Sequence, residues 1–167
     1  MKINILELPE EGLALDVKEL LEIAGYKLDR EVAATLRISK VAERLELRGR
    51  LDTGVILQCS RCLKEFSVDV EADFSVEYHP ISMLRTEEEH ELRKDEIDID
   101  FYTEDTFDID ELLKEQVILN IPMKPLCNPN CKGICPHCGR DLNKGLCGCE
   151  TKEIDPRLLA LKKLLKN

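Results

Sequence analysis

FSVDVEADFSVEY, residues 66–78, is the stretch whose pattern decides how this chain folds. Phe66, Val68, Val70, Ala72, Phe74, Val76 and Tyr78 alternate without a break with Ser67, Asp69, Glu71, Asp73, Ser75 and Glu77. Successive side chains of a strand point to opposite faces, so strict period two over this length predicts one long strand with a buried face and a wet face. The preceding RLELRGRLD, 44–52, has the same form, with Leu45, Leu47 and Leu51 on one side and Arg44, Glu46, Arg48, Arg50 and Asp52 on the other. With EVAATLRI at 31–38, these segments predict an antiparallel sheet that is solvated on one side. KINILEL at 2–8 predicts a first strand, and Ile97, Ile99 and Phe101 mark a further short one.

Helix signals lie outside this block. Asp16 and Glu19 have capping-box spacing and Gly25 supplies a stop, which predicts a short helix over 17–23. Asp108 and Glu111 repeat the spacing ahead of a stripe of Ile109, Leu112, Leu113, Val117 and Ile121 that Pro122 ends, predicting a helix over 109–120. Asp155 and Pro156 suit an N-cap and first turn, opening RLLALKKLLKN with Leu158, Leu161 and Leu165 inward and Lys162, Lys163 and Lys166 outward. LRTEEEHELRKDE, 84–96, lacks apolar periodicity and reads as a solvated loop. The expected class is α+β: an antiparallel β-sheet with a few helices forming a body over 1–122, and a Cys-rich metal-binding tail over 123–167, with its terminal helix docked on the same domain.

At 167 residues, 43 % hydrophobic and 35 % charged, the chain can bury a core, and it has no run near the roughly 20 apolar residues that span a bilayer. Glu7, Glu10 and Glu11 stand where a signal peptide needs apolar residues, so the expected compartment is cytoplasmic. Thiols stay reduced there, which favours metal ligation over disulfides for the 8 cysteines. The net charge of −10 is uneven: residues 1–122 hold 15 Lys and Arg against 30 Asp and Glu, while residues 123–167 hold 9 against 4. The body at −15 is unsuited to coating nucleic acid, and only the tail, at +5, is basic.

The tail contains CNPNCKGICPHCGRDLNKGLCGC, 127–149, with no periodicity to order it through a core. In CPHCG, Cys135 and Cys138 flank a turn that Pro136 and Gly139 favour, and Cys147 and Cys149 lie nine residues further on; together they predict one closed tetrahedral site. The remaining four, Cys59, Cys62, Cys127 and Cys131, form the economical second site, which would clip the tail to the sheet hairpin. Spacing is also compatible with other partitions, such as Cys127 and Cys131 joining the CPHC pair. The expected cofactor is one or two structural zinc ions, although four thiolates suit iron as well. A rival reading makes Cys59-Ser60-Arg61-Cys62 a redox dithiol activated by Arg61, but a strand follows it rather than the helix whose N-terminus such sites use. His79 and His137 are expected to face solvent, and no phosphate loop, nucleophile elbow or distinct carboxylate pair is present, so no enzymatic activity is expected.

CSRC at the end of a strand, the acidic middle, DELLKEQVILNIPMKPLC, CKGICPHCGRDLN with its trailing CGC, and DPRLLALKKLL together resemble the YceD family, the large ribosomal RNA subunit accumulation proteins. The resemblance covers the chain from about Cys59 onward. It implies a non-enzymatic ribosome biogenesis factor supporting accumulation of large-subunit (23S) ribosomal RNA, with precursor RNA or a ribosomal protein as partner and neither membrane nor small-molecule substrate. Candidate contact residues are Arg61, Lys132, Arg140, Lys144, Arg157, Lys162 and Lys163. The alternatives are the dithiol redox protein and a chaperone for a basic ribosomal protein with no direct RNA contact. Two zinc–tetrathiolate sites would lower the tail's +5 to near +1, too little for strong phosphate binding, whereas the acidic body suits a basic protein.

Overall fold

The computed structural model describes residues 1–83, 99–103 and 105–149. The charged segment at 84–96 and the helix predicted from Asp155, with Arg157, Lys162 and Lys163, lie outside the described residues. In chain order the elements are β1 (Lys2–Asn4), β2 (Leu13–Glu19), β3 (Lys27–Leu28), β4 (Val32–Val41), β5 (Arg44–Gln58), β6 (Glu65–Pro80), β7 (Ile99–Tyr102), β8 (Thr106–Asp108) and α1 (Ile109–Leu119). Short 3₁₀ turns follow β1 and β6.

The alternating segments become the centre of a sheet in the order β2-β4-β5-β6-β7, with β3 also pairing β5. β4, β5 and β6 are successive antiparallel neighbours, and the β5–β6 pairing runs from Leu45 with Tyr78 to Gln58 with Glu65, past the end of the alternating segment at Asp52. β7 joins β6 in parallel, with Tyr78 beside Asp100. β1 pairs with β8 in a separate two-stranded ribbon.

One face of this sheet is the core. Val32, Leu36, Ile38, Leu45, Leu47, Leu51 and Val55 are buried there with Ile109, Leu112, Leu113 and Val117 of α1, in one apolar cluster. Each such side chain contributes about 1.5–3 kcal/mol on leaving water, so the helix stripe read from the sequence is held by packing. The Asp108 carboxylate accepts from the Asp110 N–H at 3.1 Å, capping the helix start. Tyr78 meets Phe107 edge-to-face, with ring centroids 4.8 Å apart, and joins β6 to the β8–α1 corner. On the other face, Arg30 pairs with Asp52 and Asp69, Arg44 with Glu77, and Arg50 with Glu71. These exposed pairs contribute about 0–1 kcal/mol each.

Two expectations are corrected. Residues 17–23 are not a helix: Leu13, Leu15 and Val17 alternate inward, and seven residues of β2 pair with β4. A ladder over a ready sheet edge outweighs one capping box, whose contribution is about 1 kcal/mol. The strand predicted at 2–8 stops at Asn4, whose side chain accepts from Leu6 N–H at 3.0 Å and turns the chain into a 3₁₀ turn.

Candidate metal centres

The cysteines converge in two groups of four: Cys59, Cys62, Cys127 and Cys131, and Cys135, Cys138, Cys147 and Cys149. Within each group all sulfurs lie within 4.8 Å of one another. The first group spans the molecule, since Cys59 and Cys62 sit in the β5–β6 connection and the other two lie in the tail. Cys59 Sγ is 3.9 Å from Cys131 Sγ, and Cys62 Sγ is 3.6 Å from Cys127 Sγ. A tetrahedron with metal–sulfur bonds of about 2.3 Å has sulfurs about 3.8 Å apart, so these distances fit a shared ion. They are far beyond the roughly 2.05 Å of a disulfide, and all eight cysteines are free.

The two C-x-x-C turns are built alike. Leu63 N–H donates to Cys59 O and Cys59 N–H to Lys64 O; Gly139 N–H donates to Cys135 O and Cys135 N–H to Arg140 O, all at 2.9 Å. The residue after each second cysteine has a left-handed φ, 60° at Leu63 and 72° at Gly139. Each turn also aims backbone N–H groups at its first sulfur. The N–H groups of Cys127, Cys62 and Arg61 draw the Cys59 thiol down to about 6, and those of Cys138 and His137 draw Cys135 down to about 6. Two other sulfurs are opposed by their neighbours. Cys127, beside Cys62, and Cys149, beside Cys138 and Cys147, are pushed up to about 12. The thiolate is thus favoured at Cys59 and Cys135 and disfavoured at Cys127 and Cys149, so ligation by all four sulfurs of a cage needs a cation at its centre.

Backbone and side-chain bonds fasten the tail to the hairpin around the first cage. Ser60 N–H donates to Pro125 O at 2.8 Å and Ile134 N–H to Arg61 O at 3.1 Å. The Arg61 guanidinium donates to the carbonyls of Cys131 at 2.8 Å and Pro129 at 3.3 Å. Gly133, at φ 76°, comes so close that a Cβ there would stand 2.9 Å from Arg61 O. Asn143, in the loop between Cys138 and Cys147 of the second cage, reaches the first: its Nδ2 lies 3.4 Å from Cys131 Sγ while its Oδ1 accepts from Lys132 N–H at 2.8 Å. Arg61 is therefore engaged within the clip, whereas Lys132, Arg140 and Lys144 are exposed around the second cage.

His137 is exposed, but His79 is buried at 9 % exposure, with Nε2 2.7 Å from Glu77 Oε1 and its ring against Phe101. The solvent-facing expectation fails for His79 because β7 covers it. Gly133 and Asn143 were not anticipated as parts of the site. Asp141 and Asn143 carry a turn signature, since the Asp141 carboxylate accepts from Asn143 N–H at 2.9 Å, but the contact of Asn143 with a distant sulfur had no local signal.

The family described as large ribosomal RNA subunit accumulation protein YceD matches residues 47–165. The chain belongs to the YceD family. The match spans both cages and the helix α1, from within β5 onward, and leaves β1–β4 outside it. An uncharacterized protein of Mycobacterium tuberculosis (H37Rv) is 28 % identical over 78 % of this chain and 60 % of its own length, so the chain spans less than two thirds of that relative. YlbN of Bacillus subtilis, also uncharacterized, is 28 % identical over 96 % of this chain and 92 % of its own. The Arabidopsis thaliana chloroplastic protein called large ribosomal RNA subunit accumulation protein YCED homolog 1 is 25 % identical over 85 % of this chain and 51 % of its own. No solved structure matches the chain. Among the described residues no helix is long and apolar enough to cross a membrane.

Proposed function

We propose that this protein is a non-enzymatic factor in ribosome biogenesis, acting in the cytoplasm to support accumulation of large-subunit (23S) ribosomal RNA by binding a basic ribosomal protein before assembly. The observation that carries the reading is the pair of four-sulfur cages. A tetrahedral metal with four protein sulfurs has no open position for a substrate or water, so the metal's role is structural and function falls to the surfaces it fixes. Where bound, zinc would supply cross-linking and charge neutralisation. Cys59, Cys62, Cys127 and Cys131 would hold one ion, and Cys135, Cys138, Cys147 and Cys149 the other.

The ribosomal process comes to this chain from its family description and from the name of the chloroplastic relatives. The choice of a protein partner rests on charge. The body carries −15, its outer-face arginines are largely paired with acids, and Arg61 is tied to tail carbonyls. A redox role for Cys59 and Cys62 finds no support in the local fold, because β6 rather than a helix follows Cys62. Affinity capture of the full chain, followed by nuclease treatment and salt titration, tests the proposal. A basic ribosomal protein retained after nuclease is expected; loss of all partners on nuclease treatment would replace it with direct RNA recognition.

A further inference from the structure

Asp100 lies on β7, the edge strand of the sheet beside α1. It is the register partner of Tyr78, so the two share a face of the sheet, with Tyr78 in the core and Asp100 exposed at the edge on the wall of the cavity beside α1. The helix answers with two more acids, Glu111 and Glu115, one turn apart. Like charges at that spacing destabilise a helix, so helix stability does not account for the pair. The three carboxylates line a cavity of about 390 Å³ between β7, β8 and α1. Asp108 also faces it but is occupied in capping the helix. The cation on the wall is Lys2, and among the described residues neither an ion pair nor a hydrogen bond engages the side chains of Asp100, Glu111 or Glu115.

At the floor lies Tyr78. It is 8 % exposed, and among the described residues its hydroxyl has no hydrogen-bond partner, although it borders the cavity. Burial and the carboxylates of Asp100, Glu115 and Glu111 raise its pKa, so the hydroxyl stays protonated and offers an acceptor lone pair into the cavity. Burial, followed by the charges of Asp100 and Glu111, likewise holds Glu115 above the usual carboxylate range.

We propose that this cavity receives an arginine side chain of a basic protein partner, its guanidinium set between the carboxylates of Asp100, Glu111 and Glu115 and the hydroxyl of Tyr78. A guanidinium presents five donors in a planar fork, enough to serve a carboxylate with two bonds and still reach a phenol oxygen. An ammonium is a point charge with three donors. A divalent cation would want a tight shell of oxygens, whereas this cavity is roomy and one of its oxygens is a neutral phenol. The inference rests on the basic-partner reading above and adds the place where that partner's arginine docks.

The test uses the full chain, purified with its metal, titrated with a blocked Gly-Arg-Gly-Arg-Gly peptide and its lysine counterpart, read by calorimetry and by amide chemical shifts. Saturable binding with shifts centred on β7 and α1 is expected, with the lysine peptide several-fold weaker. Tyr78→Phe and, separately, Glu115→Gln should each weaken the arginine peptide about fivefold or more at unchanged fold. Equal binding of both peptides, unchanged affinity in Glu115→Gln, or displacement by stoichiometric Mg²⁺ would each overturn the proposal. If the variants lose the peptide while the captured partner survives nuclease and remains bound, the partner reading stands and the cavity assignment falls. If no protein partner is captured at all, the partner reading falls independently of the peptide titration.

Discussion

Leu63 and Gly139 occupy the same position in two matching cysteine turns, each immediately after the second cysteine and each in the left-handed region, at φ 60° and 72°. The conformation serves the turn in both: the following carbonyl, of Lys64 or Arg140, returns to accept from the N–H of the first cysteine. An L-residue bears about 1–2 kcal/mol of steric strain there, and glycine does not. A Cβ at Gly139 would meet nothing within 4 Å, so Gly139→Ala is expected to cost about 1 kcal/mol through backbone strain alone. Leu63→Gly should stabilise by about 0.5 kcal/mol, the strain relieved exceeding the entropy of a freer unfolded chain. Thermal unfolding of the metal-bound variants measures both, and a change of the same sign in the two would contradict the shared-turn reading.

Gly133 offers a harsher substitution. It combines a positive φ with an approach to Arg61 O that leaves no room for a Cβ, so Gly133→Ala must shift the tail away from the hairpin. A loss of at least about 2 kcal/mol is expected, strain and displaced hydrogen bonds acting together. The Ile134 amide, bonded to Arg61 O, should lose hydrogen-exchange protection first. Protection of Ile134 equal to that of the unsubstituted protein would show that the tail is not held there.

Asn143 reaches a sulfur of the first cage from the loop that carries the second. Removing it in Asn143→Ala deletes the Nδ2 contact to Cys131 Sγ and the acceptor for Lys132 N–H. Outer partners of metal ligands commonly contribute 10–100-fold in affinity. Competition with a chromophoric chelator should therefore show one ion released about tenfold or more readily, from the cage containing Cys131, while the other is held nearly as before.

Stripping the metal should separate body from tail. The apolar cluster of β2, β4, β5, β6 and α1 contains none of the cysteines, whereas the described part of the tail has two glycine-rich turns and little else to order it. Structural zinc contributes on the order of 10 kcal/mol of apparent binding energy. In excess chelator, amides of residues 127–149 should become unprotected while Leu47, Leu51 and Val70 stay protected. Loss of protection throughout the sheet would mean that the metal supports the whole fold.

The parts legible in the sequence were those with a local cause. Strict alternation in 66–78 and 44–52 announced β6 and β5, and the stripe from Ile109 to Val117 announced α1, because one buried face imposes one period. The grouping of the cysteines by fours was suggested by paired spacing, which also allowed Cys127 and Cys131 to join the CPHC pair; the structure selects the partition that reaches back to Cys59 and Cys62. What was not legible depended on partners far along the chain. Leu13, Leu15 and Val17 alternate as plainly as Leu45 and Leu47, but a capping-box spacing at Asp16 and Glu19 competed with them, and only the free edge of β4 decided for a strand. Nothing near Asp100 announces that it shares a face with Tyr78, because a parallel register across an intervening connection leaves no mark on either segment. His79 was misplaced for the same reason, its cover coming from β7.

The central claim is that eight cysteines hold two structural ions and that one of the two cages closes the tail onto the β5–β6 hairpin. Native mass spectrometry of the full chain, purified without chelator and compared with the acid-denatured mass, tests it most directly. Two zinc ions per chain, with Cys59 and Cys62 protected from alkylation until the metal is removed, is the predicted result. One ion or none, with Cys59 and Cys62 alkylated at once or joined in a disulfide, would contradict it.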